Sequence, residues 1–197
     1  MEVLGPWPRR GVGAHDGGVR KAFLLGGMTV IAVAMLVWSR QVFGARSAVF
    51  AFVVVWLPMA WLGIVSRFVR PRLPAGYHAL HRLERDGRLY ERLGVRLAKR
   101  MLRRGPLAVF NPDLHLPVEP TATSLSHLDQ RMRDAEASHF ILFVLTFGVV
   151  VHAAARGWWG AAGWTIVFDV LLNGYPVMLQ RYNRTLLSRR FESLHAS

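Results

Sequence analysis

The sequence predicts an all-helical integral membrane protein, a four-helix bundle with a cytosolic, interfacial helical loop. Three observations predict it. The 197-residue chain is 52% hydrophobic, with mean hydropathy +0.25, yet carries a formal net charge of +13. A soluble nucleic-acid binder of that charge would not also carry several long charge-free apolar runs, so nucleic acid is excluded as a partner and the lipid bilayer is implied. Of the 25 Lys and Arg residues, 22 fall in three segments, residues 1–21, 66–138 and 181–197. The short connections hold only Arg40, Arg46 and Arg156. Basic residues stay on the cytoplasmic side, so both termini and the long loop are expected there, with the chain crossing the cell membrane four times. There is no cysteine, which excludes disulfides, thiol catalysis and Cys-ligated metal.

Residues 1–21, rich in Gly and Pro, read as a disordered basic tail, and residues 22–197 as a single membrane domain. Ala22–Trp38 is the first span; a signal peptide is the competing reading, but the apolar run is long for one and no small-residue cleavage site follows. Ser47–Val65 is the second, long enough for a ~30 Å hydrocarbon core, with Pro58 as a kink. In the long loop, Tyr77–Met101 has helical spacing. Leu89, Leu93, Leu97 and Met101 fall four apart, basic residues fill the rest, and Gly87 is expected to divide the segment into two helices. Such basic amphipathic helices either lie in the headgroup plane or pack as cytosolic helices. Arg104-Gly105-Pro106 reads as a turn and Asn111–Pro120 as an extended connection. Ser126-His127-Leu128-Asp129 has capping-box spacing, and the helix it opens runs into the third span, Phe140–Ala154. A tight turn at Arg156–Gly160 leads to the fourth, 158–179, which carries Asp169 and Asn173.

Two groups of residues could carry chemistry. Glu136 and His139, three apart, share a helix face where the third span begins; a carboxylate can fix an imidazole tautomer while the other ring nitrogen takes a proton from a hydroxyl. The stretch Asn173–Arg184 leaves the fourth span through Gln180, Arg181, Tyr182, Asn183 and Arg184, which offer amide donors and two planar cationic forks. Pro176 within it lacks an N–H and is expected to bend the helix. Each group also has a plainer reading, an interfacial polar pair and a membrane-exit anchor. Antiparallel third and fourth spans bring both to one membrane surface. A single Glu-x-x-His does not make a di-metal bundle, so neither a metal nor another cofactor is expected.

At these residues the chain resembles the glycosyl-4,4'-diaponeurosporenoate acyltransferase family, membrane enzymes that esterify the glucose of a carotenoid glycoside. Tyr90-Glu91-Arg92-Leu93-Gly94-Val95-Arg96 with Lys99, Glu136-x-x-His139, and Asn173-x-x-Pro176-x-x-x-Gln180-Arg181-Tyr182-Asn183-Arg184 are similar to its motifs, over roughly residues 45–190. Ala98 and Phe140 stand where the family pattern has Trp. The resemblance implies a fatty acyl donor, of which a thioester such as acyl-CoA is one candidate, and a glycolipid or carotenoid glycoside acceptor. On this reading His139 is the general base oriented by Glu136. Asn173, Gln180, Arg181, Tyr182, Asn183 and Arg184 contact substrate, and Lys99 adds a loop contact. The alternative is a non-catalytic basic membrane adaptor for anionic lipid or a partner enzyme; a small transporter is disfavoured by the absence of an inverted repeat.

Overall fold

The computed structural model describes residues 13–66, 68, 71–84, 86–104 and 121–195. Among these there is no strand. Helices α1 (Gly13–Phe43) and α2 (Ala48–Val65) form an antiparallel pair. Between them Gly44 sits at φ 78°, and Ser47 caps α2 by accepting the Phe50 N–H. A 3₁₀ turn at Ala75–His78 and two short helices, α3 (Arg88–Arg92) and α4 (Val95–Arg104), occupy the loop. Helix α5 (Ala122–Ala155) then runs 34 residues, about 51 Å at helical rise. It turns at Gly157, φ 71°, into α6 (Trp159–Asp169). A π-helical turn (Val170–Gly174) and α7 (Tyr175–His195) continue the same rod. Four helical stretches are long and apolar enough to cross a membrane, Gly18–Phe43, Ala48–Val65, Ala122–Ala155 and Trp159–Arg189.

Packing runs α1 on α2, α2 on α6, α6 on α5, and α5 on α7. The α5–α6 contact includes the small buried residues Ala153 and Ala162 beside Val150, which let two backbones approach where no hydrophobic effect drives helices together. Beyond a bilayer's ~20-residue span, the hairpin has residues to spare. At that end α5 and α7 are held by an ordinary apolar cluster, Leu125, Leu128 and Leu187 with Met132 and Phe191. Helices α3 and α4 dock there through Tyr90 and Val95, packed on Leu179 and Tyr182 of α7.

Several expectations change. The chain is already helical from Gly13, within the expected tail. Helix α5 starts at Thr121, which forms a reciprocal capping box with Ser124, so Ser126 and Asp129 lie inside the helix. Among the described residues before Gly87 the loop is not α-helical. The Glu84 side chain takes the His81 N–H at 2.7 Å, a local bond that competes with the helical ladder. Gly87, at φ 70°, precedes the first of the two helices and does not separate them. The break between them falls at Gly94, φ 77°. The Leu89, Leu93 and Leu97 stripe faces outward, more than 40% exposed at each, while Tyr90 and Val95 face the protein. Pro176 is accommodated by the π turn before it, where the Tyr175 N–H reaches the Val170 carbonyl. Arg104 closes α4, and the rest of the turn expected at 104–106, the extended connection at 111–120, and residues 1–12 lie outside the described residues.

Candidate active site

Helix α7 enters the polar end of the hairpin carrying Arg181 and Arg184 one turn apart, and α5 presents Asp129 and Glu136 two turns apart, hence on one face. Glu136 is fully buried and lies between the two arginines. Its carboxylate accepts Nη1 of Arg181 and Nη1 of Arg184, each at 2.8 Å. Arg184 also donates Nε to Asp129 at 2.9 Å and Nη2 to the His78 carbonyl at 2.8 Å. Arg181 grips Glu84 with two nitrogens, at 2.9 and 2.8 Å, and gives its remaining N–H groups to the Tyr77 and Ala79 carbonyls. Tyr90 donates its hydroxyl to the same Glu84 carboxylate. Arg133 balances Asp129 at 2.7 Å, so three carboxylates face three guanidinium groups. A buried carboxylate without partners costs several kcal/mol, and this matching removes that cost.

The network perturbs the loop groups it captures. Burial alone pushes the Glu84 carboxyl up, but hydrogen bonds from Arg181, Tyr90 and the His81 amide outweigh it and hold it at about 2. Burial, then the charge of Glu136, pushes the Tyr77 hydroxyl up to about 12. Burial and the Glu84 carboxylate raise Tyr90 as well. His78 is moved the other way, chiefly by burial.

The loop motif docks residue by residue onto α7. Lys99 donates to the Asn183 side-chain oxygen at 2.6 Å and lies over the Tyr182 ring. The Tyr182 hydroxyl donates to Glu91 at 3.0 Å, and Tyr175 donates to the Leu93 carbonyl at 3.1 Å. Gly87 approaches Tyr182 so closely that a Cβ would sit 3.2 Å from the ring. Asn183 is buried, and its Nδ2 has no partner among the described residues. Gln180 is half-buried on the same helix.

Deeper along the hairpin lies a second, smaller constellation. His139 Nδ1 is 3.2 Å from the Asn173 side-chain oxygen, and Asn173 Nδ2 donates to Asp169 Oδ1 at 2.8 Å. Asn173 is fully buried in the π turn, whose extra residue per turn turns its amide toward α5. The Asp169 carboxylate fixes which end of the amide is the donor. The oxygen facing His139 is therefore an acceptor, so Nδ1 carries the proton and Nε2 keeps its lone pair.

This geometry corrects one expectation. Glu136 does not hold His139: three helical steps leave the two side chains about 60° apart around the axis. Both Glu136 oxygens are committed to arginines, and Asn173 takes the imidazole instead. It also finds residues the sequence reading passed over, namely Glu84, Asp129 and Tyr77. The signal for Asp129 was present, seven residues before Glu136 and so on its face. Two arginines leaving a membrane beside so few acids need carboxylates, and there are 12 acids in the chain.

Fold and site together define a multi-pass membrane protein whose polar machinery is confined to the region from the 3₁₀ turn to α7. Residues 74–193 match the family model for glycosyl-4,4'-diaponeurosporenoate acyltransferase, and the chain belongs to that family. It is therefore an acyltransferase of carotenoid biosynthesis, and the adaptor reading is set aside. No curated protein and no solved structure matches the sequence. The match begins beyond α1 and α2, whereas the expected resemblance reached back to about residue 45. Every residue of the two constellations lies within it.

Proposed function

We propose that the enzyme moves a fatty acyl group from a thioester donor onto a sugar hydroxyl of a glycosylated carotenoid or similar glycolipid, with His139 as general base. The observation that carries this reading is the chain Asp169–Asn173–His139, which leaves Nε2 of a half-buried imidazole free to accept a proton. Nε2 takes the proton of the sugar hydroxyl as its oxygen attacks the acyl carbonyl carbon. The new C–O bond forms, the tetrahedral intermediate collapses, and the C–S bond breaks. His139 then returns the proton to the departing thiolate. Gln180 and Asn183 lie about 10 and 15 Å along the helix from Asn173, so we assign them to the polar part of a substrate at the outer end of the site and not to the oxyanion at His139.

Arg181 takes a different role from a substrate clamp, because every one of its N–H groups already has an acceptor. With Arg184 and Glu136 it locks α7 against α5 and the loop, and so sets the register of His139 on Asn173. The acceptor's apolar chain enters from the bilayer. The exposed leucine stripe of α3 and α4 supports placing those helices in the headgroup plane, beside the site. The basic segments support cytoplasmic termini in the cell membrane, which would put the site within reach of a soluble acyl-CoA.

The test is lipid mass spectrometry on cells supplying the glycosylated acceptor, with wild type or His139→Ala. The acyl-mass shift should appear with wild type, and turnover should fall about 10²–10⁴-fold in the variant at equal membrane-inserted protein. Near-normal acylation by His139→Ala would remove the base assignment.

A further inference from the structure

At the opposite membrane end lie the three basic residues that break the charge asymmetry, Arg40, Arg46 and Arg156. Arg40 ends α1, Arg46 lies in the α1–α2 turn, and Arg156 caps α5. Arg156, far from the other two in sequence, meets them at one cleft, which Arg40 and Arg156 line and Arg46 reaches through Trp158. Arg40 and Arg156 line its mouth together with His152 and Trp158. Arg46 and Arg156 both stack on the Trp158 ring, at 5.3 and 5.6 Å from its centre. Their guanidinium carbons are thus at most about 11 Å apart, close enough for the two like charges to repel. No carboxylate among the described residues pairs with any of the three. The cluster is short of an anion.

Below the mouth the cleft is apolar, walled by Phe50 and Val54 of α2, Val149 of α5 and Ala161 of α6. Its volume is about 190 Å³, roughly six water volumes. A small free anion would fill the mouth and leave the walls bare. A membrane lipid satisfies both parts, with a phosphate among the guanidinium groups and the first carbons of one chain against the walls.

We propose that this cleft is a binding site for one anionic phospholipid of the leaflet opposite the acyl-transfer machinery. The site is built partly outside the family-matched region, since Arg40, Arg46, Phe50 and Val54 precede residue 74. It stands independently of the role given to His139.

The test uses the purified full-length protein, delipidated in nonionic detergent and titrated with phosphatidylglycerol under native mass spectrometry. One tightly held lipid is expected. Arg40→Gln/Arg156→Gln should weaken it about tenfold or more, the effect of losing charge-assisted hydrogen bonds. Arg92→Gln/Arg100→Gln, at the other end, should leave it in place. Loss of the lipid in that second variant, or its retention in the first, overturns the proposal. Displacement by millimolar inorganic phosphate would make this a free-anion site and equally overturn it. A second measurement does not depend on the arginine variants. Brominated phosphatidylglycerol should quench Trp158, isolated as the difference between wild type and Trp158→Phe, more strongly than brominated phosphatidylcholine. Equal quenching by the two lipids overturns the assignment.

Discussion

Two polar regions sit on the same α5–α7 hairpin and solve opposite problems. The outer one, around Glu136, has its charges matched, both carboxylate oxygens taken and no free N–H on Arg181, although His78 Nδ1, 3.6 Å from Glu136, has no hydrogen bond among the described residues. The inner one, around His139, is held on one side only, and its second ring nitrogen stays available. A group whose valences are all used positions its neighbours. A group oriented at one atom and open at another can react. The arginines are the most conspicuous residues of the sequence, yet their geometry is that of a clasp, and the less conspicuous Asn173 takes the part expected of Glu136.

The comparison breaks most sharply at its two centres. His139→Ala should cost activity, about 3–5 kcal/mol in the barrier for the 10²–10⁴-fold loss, and leave melting in detergent near wild type. Glu136→Gln should do the reverse. It removes the carboxylate shared by two buried guanidinium groups, which keep only Glu84 and Asp129, and breaking such a buried pair typically costs about 3–5 kcal/mol of stability. Thermal unfolding and specific activity, measured on the same membranes, separate the two. A Glu136→Gln protein that is as stable as wild type but inactive would return Glu136 to the chemistry.

Asn173→Leu sharpens the inner half of the comparison. Removing the acceptor at Nδ1 frees the imidazole to adopt the wrong tautomer, and turnover should drop about tenfold or more, with a change in its pH profile. An unchanged pH profile with a uniform drop would indicate a packing role for Asn173. Gly87→Ala tests how tightly the loop is seated on α7. The left-handed backbone costs a residue with Cβ about 1–2 kcal/mol, and the added carbon meets Tyr182 at 3.2 Å, so the midpoint of unfolding should fall. A variant as stable as wild type would mean that the loop is not held there.

The smallest effect is expected from acid. The Glu84 carboxyl is held at about 2, below its ordinary value of 4.5. Its contribution is therefore fully present above 4.5 and lost as pH falls toward 2. The stability gap between wild type and Glu84→Gln, followed by thermal melts in detergent, should be constant from neutral pH to about 5 and shrink below 4.5. A gap that persists unchanged at pH 3 would exclude Glu84 as the ionised partner of Arg181.

By itself the sequence determined the four apolar helices, the concentration of charge in three segments, and the residues on which the machinery is built. Apolar length and charge are local properties, and a bilayer reads them directly. The Leu89 repeat likewise marked the basic helices α3 and α4, although the break between them falls at Gly94 and not at Gly87. The sequence did not determine the partners. Glu136 and His139 are three residues apart, so a local reading pairs them; the structure pairs Glu136 with residues 45 and 48 positions away and His139 with one 34 away. Glu84 meets Arg181 across 97 positions, and Arg40 meets Arg156 across a cleft. Whether a carboxylate orients an imidazole or neutralises two arginines depends on which cations the fold brings within hydrogen-bonding distance. Only the antiparallel register of α5 and α7, offset by the π turn at Asn173, decides that.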